Sequence, residues 1–177
     1  MIVLETPNKG EFRLALEENN IHKFSLCRFS FKSNSASNEI IISEDYVYTF
    51  IDNILGRLNK IPHLNQQQLF GGLGKWQEYY YYDSGFVEDC ADEIKQMENA
   101  TFVSAECYGI FLYKSDDKVW MELDRGYDGK CVLSPYDYYA NPSNYRVLLT
   151  EIPLTMLYEW QMKLEAVKIK YIENAQA

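Results

Sequence analysis

Six apolar residues, Val47, Phe50, Ile51, Ile54, Leu55 and Leu58, recur at i, i+3, i+4, i+7, i+8 and i+11. An α-helix turns by about 100° per residue, so this spacing lays them along one stripe. Ser43 stands where it can cap such a helix, Glu44 and Asp45 put negative charge in its first turn, and Pro62 lies just past its end. A second stripe, Leu157, Trp160, Leu164, Val167 and Tyr171, follows Pro153, a residue suited to the first helical position. Glu159 and Lys163 form a favourable i,i+4 pair on its exposed side. Each helix needs an apolar surface to cover, and the remaining chain reads as strands that supply one.

In the N-terminal third, Phe12, Leu14 and Leu16 alternate with Arg13, Ala15 and Glu17, a period of two. Asn19-Asn20 marks a turn, and His22–Lys32 then carries Phe24, Leu26, Phe29 and Phe31. The step from 26 to 29 breaks the period, which predicts a bulge or a strand buried on both faces. Glu39–Ile42 follows the polar loop Ser33–Asn38 as a short third strand. Further on, Gln66–Gln68 opens a short helix that stops at Gly71, Trp76–Tyr82 reads as a strand, and Phe86–Glu98 reads as a helix. Phe86, Cys90, Ile94 and Met97 line one side of that helix.

Thr101–Tyr113 reads as a long strand with Val103, Ala105, Cys107, Phe111 and Tyr113 on one face. The tight turn Ser115-Asp116-Asp117-Lys118 joins it to Val119–Leu123 as a hairpin. Tyr127–Ser143 is loop-like, and Tyr145–Ile152 is a last strand. The expectation is a single α+β domain over 1–177, with a mostly antiparallel sheet and helices, including a long C-terminal one, packed on one face. At 177 residues the chain can bury a core without disulfides or metals.

The net charge is −9, and it is not spread evenly. Between Glu78 and Asp128 there are 13 acids against four bases, whereas the rest of the chain holds 13 of each. The whole excess therefore belongs to the middle third. Such a balance argues against direct contact with nucleic acid or an anionic membrane, both of which need a positive protein surface. It favours a basic protein partner, steered by the field of the acidic segment. The opening residues MIVLETPNKGEF have no basic stretch followed by a long apolar run, so a signal peptide is not expected. With no apolar run near membrane-spanning length, the expected location is the cytoplasm. Cys27, Cys90, Cys107 and Cys131 are widely spaced and fit reduced thiols there.

Signals for catalysis are missing. His22 and His63 stand in no HExxH, HxE or HxH context and read as solvent-facing. Gly71-Gly72-Leu73-Gly74-Lys75 fits neither GxxxxGK[ST] nor GxGxxG and reads as a plain loop. Asp124–Gly129 looks like a fragment of a calcium loop but lacks the third oxygen ligand and the closing Glu. Many carboxylates are present, and nothing selects a pair as acid and base. No enzyme activity, cofactor or metal is expected. Tyr79-Tyr80-Tyr81-Tyr82, if extended, turns two rings to the core and two outward, where they would serve as interface anchors.

In its size, single α+β domain, lack of a catalytic constellation, localised acidity and adjacent aromatics, the chain resembles the immunity proteins of bacterial toxin–immunity systems, including contact-dependent growth inhibition. The resemblance is one of overall character over the whole chain, without a shared motif. It implies binding to a cognate toxin, typically a basic nuclease domain, whose active-site cleft is covered by carboxylates standing where nucleic-acid phosphates would go. The residues expected at that interface are Glu88, Asp89, Asp92, Glu93, Asp116 and Asp117, with Tyr80 and Tyr82 as anchors. Two other classes fit the same residues: an intracellular adaptor or regulatory domain, and a small-molecule-binding domain or enzyme using carboxylates in a pocket.

Overall fold

A computed structural model describes residues 1–7, 10–16, 21–34, 39–64, 91–104, 109–124 and 147–175. The fold is α+β, built on two four-stranded antiparallel sheets and a long C-terminal helix. The chain divides into two compact units, Met1–Lys60 with Ile152–Ala177, and Ile61–Glu151.

In the first unit the strands β1 (Ile2–Thr6), β2 (Gly10–Leu16), β3 (Leu26–Ser33) and β4 (Glu39–Tyr46) form an antiparallel meander in sequence order. Helix α1 (Val47–Leu58) follows directly, and α3 (Leu154–Asn174) packs on α1 and β1. Pleating puts alternate residues on one face. Leu4 therefore stands opposite Phe12, Phe12 opposite Phe31, and Leu14 opposite Phe29, all of them buried.

Phe12 is the hub of this core. Its ring stacks on Phe29 at 5.2 Å, tilts against Phe31 at 5.0 Å and meets Trp160 of α3 edge-on at 5.9 Å. Trp160 also donates its indole N–H to the Glu5 carbonyl at 3.0 Å, so the largest buried side chain leaves no polar atom unanswered. Both helical stripes foreseen from spacing face this core: Val47, Phe50, Ile51, Ile54 and Leu55 in α1, and Leu157, Trp160, Leu164, Val167 and Tyr171 in α3. Pro153 sits one residue before α3 as its N-cap.

Three local expectations change here. β1 is a strand that the period-two pattern of Phe12–Glu17 did not extend to. The irregularity expected in β3 is present but displaced: Leu26 faces outward, and the register shift lies between Phe29 and Ser30, whose partners are Ser43 and Ile41. Ser43, Glu44 and Asp45 belong to β4 rather than to the helix start, because pairing with β3 carries the strand on to Tyr46. Glu44 forms an ion pair with Arg28 directly across the ladder. Helix α1 consequently has no side-chain cap. Its first free N–H groups are met by backbone instead: Val47 donates to Ser25 O at 2.8 Å and Tyr48 to Lys23 O at 3.2 Å.

The second unit holds α2 (Ala91–Ala100) and the strands β5 (Thr101–Ser104), β6 (Gly109–Ser115), β7 (Lys118–Asp124) and β8 (Val147–Ile152), the last running on to the unit boundary. The strands lie in sequence order. The long strand expected over Thr101–Tyr113 is two antiparallel strands, with Ser104 opposite Gly109. Gly109 has no side chain to pack in a continuous strand, and Ile110, Phe111, Leu112 and Tyr113 are all buried, so β6 is covered on both faces. Met97 and Ala100 of α2 join Phe111, Tyr113 and Leu64 in a core cluster, with Trp120 packed against it. Leu64 is held there by a backbone bond to Lys114 O at 2.8 Å. The expected helix over Gln66–Gln68, the strand over Trp76–Tyr82 and the loop over Tyr127–Ser143 lie outside the described residues.

Candidate protein-binding surfaces

The turn and second strand of the β6–β7 hairpin were legible in the sequence, and its tip carries two of the expected interface residues. Ser115 pairs with Lys118, which leaves Asp116 and Asp117 as a two-residue loop. Both have positive φ, 50° and 62°. This is the turn whose twist matches a hairpin, and it is ordinarily filled by Asn-Gly because a Cβ is strained there. Both aspartates are exposed, and neither has an ion-pair partner among the described residues. The nearest base in sequence, Lys118, is engaged by Glu151 at 2.7 Å, with its ammonium 5.9 Å from the Trp120 ring. The tip therefore presents two uncompensated carboxylates.

Asp92 and Glu93 lie in α2, which packs on β6 through Met97 and Ala100. Glu88, Asp89, Tyr80 and Tyr82 lie outside the described residues. Among the described acids of the middle third, Glu122, on β7, is 2 % exposed and adds no accessible carboxylate to the surface. Beside it the Tyr113 hydroxyl is pushed well above its ordinary pKa, first by burial and then by the Glu122 charge.

A second surface, in the first unit, was not foreseen. Phe24, Tyr46 and Tyr48 are exposed and touch one another. Phe24 meets the other two edge-on at 6.1 and 5.8 Å, and the tyrosines stack at 6.4 Å. Lys23 Nζ lies 4.7 Å from the Phe24 ring, and Leu26, also exposed, pairs with Tyr46 across the ladder. The backbone bonds from Val47 and Tyr48 to the 23–25 segment bring the three rings together. That segment is itself fixed by His22, whose Nδ1 accepts the Phe24 N–H at 3.2 Å and whose own N–H donates to Ser25 Oγ at 3.0 Å. One sequence signal was available: at about 100° per residue Tyr48 lies about 90° from the centre of the α1 stripe, at its edge, where a large ring is part exposed.

No family model, curated protein or solved structure matches the chain. Among the described residues, no three His, Cys, Asp or Glu side chains converge to hold a metal ion, and no helix is long and apolar enough to cross a membrane. Cys27 is buried and is not in a disulfide; Cys90, Cys107 and Cys131 lie outside the described residues. The described surfaces thus offer carboxylates held at a strained turn and a fixed aromatic cluster, the two kinds of group that protein recognition uses for steering and for anchoring.

Proposed function

We propose that the chain is an immunity protein that binds a cognate toxin, a basic nuclease domain, and neutralises it by covering the active site with an acidic surface in the cytoplasm. The observation that carries this reading is the exposed Asp116-Asp117 tip within the segment that holds the whole charge excess. A backbone conformation costly for both residues, occupied by two free carboxylates, is a feature that stability alone does not select. Residues at such a tip accelerate encounter with a basic cleft and occupy its phosphate positions.

The test is affinity capture from the native host at low salt, with mass spectrometry of the retained species. A stoichiometric basic polypeptide that is toxic when expressed alone supports the reading. Reversal of both charges, Asp116→Lys with Asp117→Lys, should then slow association by about ten-fold or more at low salt. An unchanged rate and affinity for the captured toxin would overturn the role of the tip.

A second reading, a protein- or peptide-binding adaptor, draws support from the Phe24–Tyr46–Tyr48 cluster, because exposed aromatics bind without needing charge. Salt separates the two: charge-steered binding weakens steeply between 0.05 and 0.5 M salt, roughly as the screening length shrinks, and apolar docking does not.

A further inference from the structure

The core-facing stripe of α3 accounts for five side chains. A second set on the same helix is apolar and exposed: Leu154 is 67 % exposed, Tyr158 63 %, Met162 51 %, Ile169 55 % and Ile172 42 %. At about 100° per residue these five fall within roughly 80° of arc, centred about 140° from the stripe that meets the core. Both flanks of the helix are tied down. Lys168 donates to Asp52 of α1 at 2.6 Å and Gln161 to Asn59 at 3.4 Å, while Lys163 reaches the Val3 carbonyl at 2.8 Å. The exposed residues form the ridge left between those ties.

The ridge is nearly symmetric under reversal about residue 163. Turning α3 end for end brings Leu154 opposite Ile172 and Tyr158 opposite Ile169, with Met162 beside Glu165. We infer that this ridge is the contact of a two-fold dimer, in which the α3 helices of two copies pack antiparallel.

Two further features fit a second copy. The first is area: with on the order of 200 Å² for each fully exposed residue of this size, the ridge exposes about 550 Å² per copy, so a pair buries about 1,100 Å². That clears the roughly 1,000 Å² expected of a specific interface and reaches the upper range for the largest apolar patch on a monomer. The second is charge. Glu159 and Lys170 are exposed beyond one flank of the ridge, about 105° and about 125° from its centre, and in the reversed copy each lies within about three residues of the other, so opposite rather than like charges stand along the same rim. At the centre Gln161 donates to Glu165 at 3.0 Å, a polar position of the kind that sets register between paired helices.

Sedimentation equilibrium of the full chain at near-physiological salt, from about 1 to about 200 µM, reads the association directly. The wild type should dimerise within this range. Tyr158→Glu with Ile169→Glu should be monomeric throughout with an unchanged circular dichroism spectrum, because both residues are exposed in the single copy. Glu159→Lys and Lys170→Glu should each weaken the dimer about five-fold, and the two combined should restore it, a rescue that only the antiparallel arrangement provides. A wild type that stays monomeric overturns the inference, as does a dimer that survives the double Glu variant. Binding of a monomeric chain to neutral phospholipid vesicles through the same residues would also overturn it, by assigning the ridge to a lipid surface.

Discussion

Replacing the hairpin tip by Asn-Gly, Asp116→Asn with Asp117→Gly, should stabilise the protein while weakening its partner binding. Left-handed backbone costs an L-residue about 1–2 kcal/mol, and Asp, whose short carboxylate bonds locally, sits at the lower end. Glycine at 117, where φ is 62°, therefore relieves about 1 kcal/mol. Against this, the freer unfolded chain returns about 0.5 kcal/mol. At a separation on the order of 6 Å, two carboxylates in water repel by roughly 0.3 kcal/mol after screening, and the two substitutions remove that repulsion. The net gain is about 1 kcal/mol, equivalent to a rise of roughly 2–4 °C in Tm for a chain of this size. Urea unfolding followed by far-UV circular dichroism should show a higher midpoint with an unchanged slope. Slower amide exchange in β6 and β7 would assign the gain to this hairpin. A midpoint that stays in place or falls would refute the argument, because the turn would then not be under strain.

Gly10 admits no side chain: its φ is 154°, and an added Cβ would lie 2.3 Å from the Lys32 carbonyl oxygen and 2.8 Å from the Phe31 ring. Gly10→Ala should cost about 3 kcal/mol or more in urea unfolding, and a loss below about 1 kcal/mol would show that the β2–β3 contact is looser than described. The Tyr171 hydroxyl, which donates to Asp52 at 3.2 Å, has its pKa pushed up to about 12 by burial and then by the Asp52 charge. Its folded pKa lies above the ordinary value of 10, so its contribution to stability is complete below pH 10 and is lost as pH rises towards 12. Tyr171→Phe should flatten stability against pH in that window, as read by urea midpoints at stepped pH.

The helices were legible because burial on one face of a helix leaves a periodic trace, and the five buried residues of α3 were identified one by one. The turn and second strand of the β6–β7 hairpin were legible because a turn flanked by apolar runs has few alternatives. What misled was competition between local signals and pairing. Ser43, Glu44 and Asp45 are good helix-start residues, but Arg28 on the neighbouring strand offers Glu44 a cross-strand partner, and strand pairing is not visible in a local window. β1 is short, and only its partner Phe12 explains why Leu4 is buried. At the surfaces, the acidic segment overstated the available charge, since Glu122 is buried within it. The aromatic cluster escaped because Phe24 and Tyr46 stand 22 positions apart and are brought together by backbone bonds, not by any shared motif.

The Trp160–Glu5 bond joins residues 155 positions apart, and it has a consequence in time. The four strands and α1 of the first unit leave the ribosome before the second unit, with Phe29 already met by Phe50 of α1 at 4.9 Å but the Trp160 side of Phe12 uncovered. Their lid, α3, is made only after the whole second unit has been translated. At about 5–20 residues per second, that interval is on the order of ten seconds. Through it the nascent sheet presents a sticky aromatic surface, so this stretch of synthesis is where a holding chaperone has most to protect.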